Sequence, residues 1–159
     1  MARVAPVTPG SFEFRREWVT PAPVERVHDV LADLQSYPEW WPQVRAVARI
    51  DDDTARVLCR SALPYLLDLE LQAVRRDPLV LEVGITGDLT GWSRAELVPR
   101  GTGSTQVTYT QAVVVAHRGL AFVTTLARPL LRWNHERMMA GLEDGLRRRA
   151  QPRADTAAS

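Results

Sequence analysis

The stretch from Leu120 to Arg149 constrains the fold most, because its apolar residues recur at the spacing of an α-helix. The spacing predicts one long amphipathic helix near the C-terminus, with an apolar side formed by Val123, Ala127, Leu130, Leu131, Met138 and Leu142. Pro129 cannot donate a hydrogen bond to the carbonyl one turn earlier, which predicts a kink there or a break into two helices. A helix this long must bury its apolar side against another layer of structure.

Three residues on the apolar side of this helix are unusual. Asn134 lies near its middle, and a buried amide needs either a hydrogen-bonding partner on a strand or a polar ligand. Gly141 and Gly145 lie one turn apart, and a glycine costs roughly 1 kcal/mol relative to alanine inside a helix. The pair therefore predicts that another backbone comes close. We expect that backbone to be the sheet, so that larger residues at the other end of the helix hold it away and open a wedge-shaped cavity.

Trp133 lies well away from the centre of the apolar side. We therefore expect it outside any cavity, packed against the N-terminal arm, the first helices or a partner chain.

The sequence pattern ahead of the helix predicts mostly strands. Phe12 to Val19 alternates between apolar and polar residues, helical spacing follows from Pro23 to Asp33, and Ser36 can cap a very short helix that ends by Pro42. From Pro42 to Ala116 the period is two, interrupted by short turns, which predicts six further strands in an antiparallel meander. The predicted architecture is α+β: a seven-stranded antiparallel sheet wrapped on a long C-terminal helix, with two short helices between strands 1 and 2.

The ends of the chain differ in composition from this domain. We expect a flexible arm over residues 1–11, the folded domain over 12–150, and a disordered tail over 151–159.

Composition excludes several classes of function. All 20 basic residues are arginine, so lysine Schiff-base chemistry and a P-loop lysine are absent, and the net charge of +1 predicts no nucleic-acid partner. Cys59 is the single cysteine and cannot form an internal disulfide. No secretory signal and no apolar run of about 18 residues is visible, so we predict a cytoplasmic protein with no integral membrane segment. A homodimer is compatible with the sequence.

Motifs for metal or nucleophilic chemistry are weak. His135-Glu136 would need a second histidine at the position of Met139 to make a zinc helix, so we predict no metal site and expect His135 to be solvated or to cap a helix. Gly101 and Gly103 are explained by a hairpin turn, and no nucleophile elbow is present. No cofactor is predicted.

Candidate ligand-binding residues follow from the predicted cavity between the sheet and the long helix. Polar and aromatic side chains suit such a wall, and the candidates are Asn134, Tyr109, Gln111, Trp41, Tyr37, Tyr65, Leu130 and Met138. Trp40, in the same short helix as Tyr37, could pack onto the sheet instead. Arg60, Tyr65 and Glu70 depend on the register of strands 3 and 4, which alternation alone leaves open.

Four segments resemble the START-like (SRPBCC) helix-grip superfamily. They are residues 20–27, TPAPVERV, residues 37–42, YPEWWP, residues 87–91, GDLTG, and the last helix with Trp133-Asn-His and residues 141–146. The resemblance covers nearly all of residues 12–150 and is nearest to bacterial proteins described as polyketide cyclase/dehydrase and lipid-transport proteins. In related cyclases, pocket Arg, Tyr and Trp groups orient a poly-ketone chain, but no position here matches those residues one by one.

The resemblance implies three functions. The first is binding of a hydrophobic or polycyclic small molecule, the second is a polyketide cyclase, aromatase or dehydratase, and the third is a lipid or quinone carrier. An enzyme would need a titratable group with a perturbed pKa inside the cavity. The expected wall is poor in histidine and carboxylates, which favours binding.

Overall fold

The computed structural model describes residues 11–60, 66–116 and 128–151. Its strands are β1 (Ser11–Thr20), β2 (Val44–Arg49), β3 (Thr54–Arg60), β4 (Leu66–Asp77), β5 (Val80–Gly87), β6 (Leu89–Arg100) and β7 (Ser104–Val115). Its helices are α1 (Val24–Ala32), α2 (Tyr37–Trp40) and α3 (Arg128–Ala150), and a 3-10 turn at Leu34–Ser36 leads into α2. The predicted fold is confirmed: a seven-stranded antiparallel sheet, two short helices between β1 and β2, and a long C-terminal helix.

The sheet has the order β1-β7-β6-β5-β4-β3-β2, and every neighbouring pair is antiparallel. The first strand returns to pair with the last along its whole length, from Ser11 opposite Val114 to Thr20 opposite Thr105. Irregular pairing after Val44 and after Ala73 marks positions where bulges increase the local twist. A twisted sheet of this width curls, so one face becomes concave.

The bend between β5 and β6 is short. Gly87 adopts a φ of 107°, which favours glycine, and β6 already begins at Leu89. Gly91 therefore lies within the strand and not in the bend. A Cβ on Gly91 would lie 2.0 Å from the carbonyl oxygen of Ala112 on β7, so this residue permits close strand pairing.

Gly145 does allow another backbone to come close, but that backbone belongs to α2 and not to the sheet, whereas Gly141 makes room for a side chain. A Cβ on Gly145 would lie 2.1 Å from the carbonyl oxygen of Trp40 in α2, and one on Gly141 would lie 2.2 Å from Oε1 of Gln43. The expected approach to the sheet was wrong, because both glycines lie on the flank of α3 that faces the segment between α2 and β2. Contact with α2 fixes the position of the helix.

The N-terminal part of the predicted long helix is only partly described. Pro129 lies in the first turn of α3, where its missing N–H costs no helical hydrogen bond. Residues 120–127 lie outside the described residues, together with Val123 and Ala127 of the predicted apolar side. Leu130 was placed on that side wrongly, because its side chain is 45% exposed.

The buried face of α3 explains the error for Leu130. The buried residues of this helix are Asn134, Met139, Leu142, Gly145, Leu146 and Ala150. This face is rotated toward Met139 and Leu146, which pack in the same core cluster as Val27 of α1. Leu130 lies outside this buried face.

The concave side of the sheet is filled at one end only. Leu142, Leu146 and Ala150 of α3 pack with Val27 of α1 and Val107 of β7 in a solid core. A second apolar cluster, which includes Phe12, Val57, Leu69, Ile85 and Val113, lies at the other end. There the helix spans the sheet without filling the space beneath it, which leaves a cavity.

Trp133 lies outside that cavity, as its angular position around the helix predicts. It is 48% exposed, and the guanidinium of Arg137 lies 5.1 Å from the centre of its ring. The N-terminal arm, one of its expected partners, lies outside the described residues.

Replacing Gly145 with alanine should destabilise the fold. The new methyl group would collide with the Trp40 carbonyl, and such overpacking costs roughly 1–3 kcal/mol, against a gain of about 1 kcal/mol in helix propensity. Urea unfolding of Gly145→Ala should show a lower free energy of unfolding than the original protein. Gly103→Ala is the matched control, since nothing lies within 4 Å of its added Cβ. Equal stability of the two variants would contradict the packing of α3 against α2 described above.

Candidate functional site

A cavity of about 550 Å³ lies between the concave face of the sheet and the N-terminal half of α3. This volume is in the range of known small-molecule sites. Strand alternation supplies most of the wall, because every second residue of a strand points to the same face. Leu67, Leu69 and Leu71 of β4 are examples, and α3 contributes Leu131, Asn134, His135, Met138 and Leu142.

Six of the eight candidate residues predicted from the sequence meet on this wall: Asn134, Tyr109, Gln111, Trp41, Tyr37 and Met138. Leu130 does not line the cavity, and Tyr65 lies outside the described residues. The register of β3 and β4 turns Arg60 and Glu70 outward, where both are exposed. A ligand-binding role for the six wall residues stays a prediction.

The short helix α2 and Trp41, which follows it, supply aromatic rings that are held by hydrogen bonds. The Tyr37 hydroxyl donates to the carbonyl of Leu31 (2.6 Å), and Nε1 of Trp41 donates to the carbonyl of Met138 on α3 (3.0 Å). Trp40 is instead a core residue and donates to the hydroxyl of Ser36 (3.2 Å). Burial, followed by the nearby Tyr109 and Asp33, raises the pKa of Tyr37, so its hydroxyl stays protonated.

Polar side chains form a strip across the apolar wall. The Tyr109 hydroxyl donates to Oε1 of Gln111 (3.0 Å), and Nε2 of His135 lies 3.5 Å from the same oxygen. The side chain of Ser93 hydrogen-bonds to Tyr109. We call Ser93, Tyr109, Gln111 and His135 the polar strip. Burial is the main reason that the pKa of Tyr109 rises to about 12, with Cys59 adding to the effect and the Ser93 bond opposing it.

His135 is neither solvated nor a helix cap, which corrects the sequence interpretation. Its ring stacks on Phe14 with centroids 3.5 Å apart and planes 10° from parallel. Burial lowers the pKa of His135 to about 4, and the charge of Arg16 adds to this. Arg16 itself is engaged by Glu143 (2.8 Å). The sequence did indicate this position. His135 follows Leu131 by four residues and precedes Met138 by three, so the three side chains lie on one face of the helix.

Asn134, the buried amide that the sequence singled out, is 6% exposed. Its Nδ2 lies 4.0 Å from the sulfur of Met138, one turn along the helix. The residue thus takes part in both the packed face of α3 and the cavity wall.

The wall carries more ionisable groups than expected from the sequence, because Arg75, Arg76, Glu82, Asp88 and His135 all contribute to it. The two arginines are paired with Asp77 and Asp53. The carboxylates are engaged, however. Glu82 pairs with Arg94 (2.7 Å), and Asp88 accepts the backbone N–H of Asp68 (2.8 Å). Cys59 also lines the cavity, and burial raises the pKa of its thiol to about 11. At neutral pH the polar strip is uncharged, and these two wall carboxylates have partners.

Within residues 11–60, 66–116 and 128–151, no group of three His, Cys, Asp or Glu side chains could hold a metal ion. In the same part of the chain, no helix is long and apolar enough to cross a membrane.

The low pKa of His135 should make stability depend on pH. The folded protein favours the neutral ring, whereas the unfolded chain binds a proton near the ordinary pKa of 6.5. Stability should therefore be complete above about pH 6.5 and fall by up to about 1.4 kcal/mol per pH unit toward pH 4. His135→Phe should lose this part of the slope while other acid-sensitive groups keep theirs. Denaturant unfolding at a series of pH values measures the difference, and parallel curves would refute the assignment.

Several solved structures share this fold. The Zhui aromatase/cyclase from Streptomyces sp. R1128 aligns with a TM-score of 0.78 and 17% identity, over 94% of this chain and 99% of that one. A START superfamily protein from Mycobacterium smegmatis aligns with a TM-score of 0.70 and 17% identity, over 87% and 96% of the two chains. The di-domain ARO/CYC BexL from the BE-7585A biosynthetic pathway gives 0.71 and 16% identity, with 92% of this chain covering 52% of that one. These likenesses show the fold, which is the helix-grip arrangement.

No curated protein matches the chain significantly. The model of the family described as polyketide cyclase/dehydrase and lipid transport matches residues 11–147, which is most of the chain. The chain therefore belongs to the polyketide cyclase/dehydrase and lipid transport family.

Proposed function

We propose that this domain binds an uncharged, ring-containing apolar molecule in the cavity between the sheet and α3. The observation that carries the proposal is the composition of the cavity wall. Most side chains around the volume of about 550 Å³ are apolar, and the polar strip crosses them. The charged residues of the wall, Arg75, Arg76, Glu82 and Asp88, all have partners within the protein. Each Å² of apolar ligand surface removed from water contributes about 25 cal/mol, so burial of a ring system supplies the affinity.

The electrostatics of the wall support an uncharged ligand. Burial keeps the hydroxyls of Tyr37 and Tyr109 and the thiol of Cys59 protonated, and it keeps His135 neutral. The wall carboxylate of Glu82 is paired with Arg94. A charged ligand would lose its hydration without gaining an unpaired opposite charge from these groups, and that loss is large.

Filling the cavity should weaken binding of an apolar probe. Val83 lines the cavity from β5, and Val83→Trp should weaken binding of the uncharged fluorophore Nile red roughly ten-fold, since the indole takes space needed by the probe. Val114→Trp is the matched control, because Val114 lies on β7 outside the cavity lining and is 39% exposed. Fluorescence titration gives both dissociation constants, and circular dichroism checks that each variant is folded.

Two outcomes would refute the proposal. One is that the unmodified protein binds no Nile red. The other is that Val83→Trp and Val114→Trp bind it equally well, which would place the probe outside this cavity.

A cyclase or aromatase is the second candidate, and the polar strip is the observation that favours it. In an intramolecular aldol condensation, an enol carbon bonds to a carbonyl carbon and water leaves. Tyr109 keeps its proton at neutral pH, and its hydroxyl would have to turn away from Gln111 to donate a hydrogen bond to the carbonyl oxygen as charge develops there. His135 is neutral but a weak base at a pKa of about 4, so it suits hydrogen bonding better than proton abstraction. Binding is therefore better supported than catalysis.

The enzyme hypothesis has a separate test. A synthetic linear poly-β-ketone incubated with the protein should cyclise faster than in buffer, as followed by the absorbance of the aromatic product. Tyr109→Phe should then slow the reaction on the order of 100-fold. Nile red binding by the same variant reports whether the cavity is intact. No acceleration by the unmodified protein would exclude this candidate for that substrate class and leave the binding function in place.

A further inference from the structure

The hydrogen bonds of the polar strip meet at the carboxamide oxygen of Gln111. Oε1 of Gln111 accepts from the Tyr109 hydroxyl at 3.0 Å, and Nε2 of His135 lies 3.5 Å from the same oxygen. A carboxamide oxygen has two lone pairs, so these two neighbours can occupy both. Tyr109 in turn shares a hydrogen bond with Ser93, which leaves its own proton directed at Gln111.

The tautomer of His135 follows from the surroundings of its ring. Nδ1 is buried and has no hydrogen-bonding partner among the described residues. A proton on Nδ1 would be a buried donor with no acceptor, which is costly. A proton on Nε2 points instead toward Oε1 of Gln111. The neutral ring therefore carries its proton on Nε2 and acts as the second donor to Gln111.

These bonds leave the amide nitrogen of Gln111 as the free end of the strip. The nitrogen makes no hydrogen bond within the described part of the chain, and it is not one of the buried atoms there that lack a partner. Gln111 lies on the cavity wall, so this nitrogen is reached from the cavity. Its two N–H groups are donors only, because Tyr109 and His135 hold the oxygen on the other side.

We propose that Gln111 selects ligands that carry a carbonyl-type oxygen, to which its amide N–H donates a hydrogen bond inside the cavity. Tyr109 and His135 are positioning residues that prevent the carboxamide from turning its oxygen to the ligand. The proposal rests on the binding function above and adds the class of ligand. An apolar ring without an acceptor would bury the amide without a partner, and this loss makes it the weaker ligand.

The matched probes 9-fluorenone and fluorene test the inference, since they have the same rings and differ in one carbonyl group. The unmodified protein should bind fluorenone about ten-fold more tightly, measured by displacement of Nile red. Gln111→Met keeps the length of the side chain and should bring the ratio of the two dissociation constants close to one. Gln106→Met is the control on the same strand, because Gln106 bonds to Arg100 and does not line the cavity, and its ratio should stay at about ten.

A spectroscopic measurement separates the hydrogen bond from general effects on affinity. The infrared carbonyl stretch of bound fluorenone should lie at lower frequency in the unmodified protein than in Gln111→Met. His135→Phe keeps the stacked ring but removes one donor to Gln111, so its ratio of dissociation constants should fall below that of the unmodified protein.

The possible failures are distinguishable. Equal affinity for the two probes in the unmodified protein, or a carbonyl frequency that Gln111→Met leaves unchanged, would overturn the inference and leave the binding function intact. Nile red binding with displacement by neither probe would overturn the inference alone. Absence of Nile red binding would overturn the proposed function and the inference with it.

Discussion

The contact between the glycine flank of α3 and the segment that joins α2 to β2 determines the shape of the site. Because Gly145 has no side chain, the helix backbone reaches the carbonyl of Trp40, and Gly141 leaves room for the side chain of Gln43. This contact keeps the C-terminal half of α3 close to the sheet and α1, where Leu146 and Ala150 complete a solid core. The N-terminal half then crosses a curled sheet that it meets only in part, through contacts such as the stacking of Phe14 on His135. A cavity is the geometric result.

The chemistry of the cavity follows from burial. Removing a titratable group from water favours its uncharged form, which raises the pKa of Tyr109 and lowers that of His135. The same low polarity strengthens the hydrogen bonds along the strip, because little water competes for them. An apolar cavity with one neutral, directional strip suits recognition of uncharged molecules. The family is described as polyketide cyclase/dehydrase and lipid transport. One fold of this kind can serve any of these functions.

Much of the fold could be predicted from periodicity alone. Leu67, Leu69 and Leu71 alternate with polar residues, and all three line the cavity, as a strand with one buried face requires. Tyr109 and Gln111 were placed inward for the same reason. The helix was harder to interpret. Leu130 and His135 are five residues apart and therefore on different sides of it. The sequence pattern nevertheless predicted that Leu130 is buried and that His135 is solvated or caps a helix. Hydrophobicity ranks residues by type, whereas the neighbours of α3 decide which face is covered.

The sequence by itself determined the order of the elements, the antiparallel sheet and the positions where backbone had to come close. These properties depend on local spacing and on the conformational demands of glycine and proline, which are visible in the chain. The tertiary structure alone decided which partner the glycines meet, how far α3 is rotated, and that Phe14, Tyr109, Gln111 and His135 converge. Those outcomes depend on contacts between residues more than 90 positions apart in some cases, such as Phe14 with His135. Only the curvature of the sheet and the position of α3 against it bring such residues together. No single segment of the sequence determines either of them.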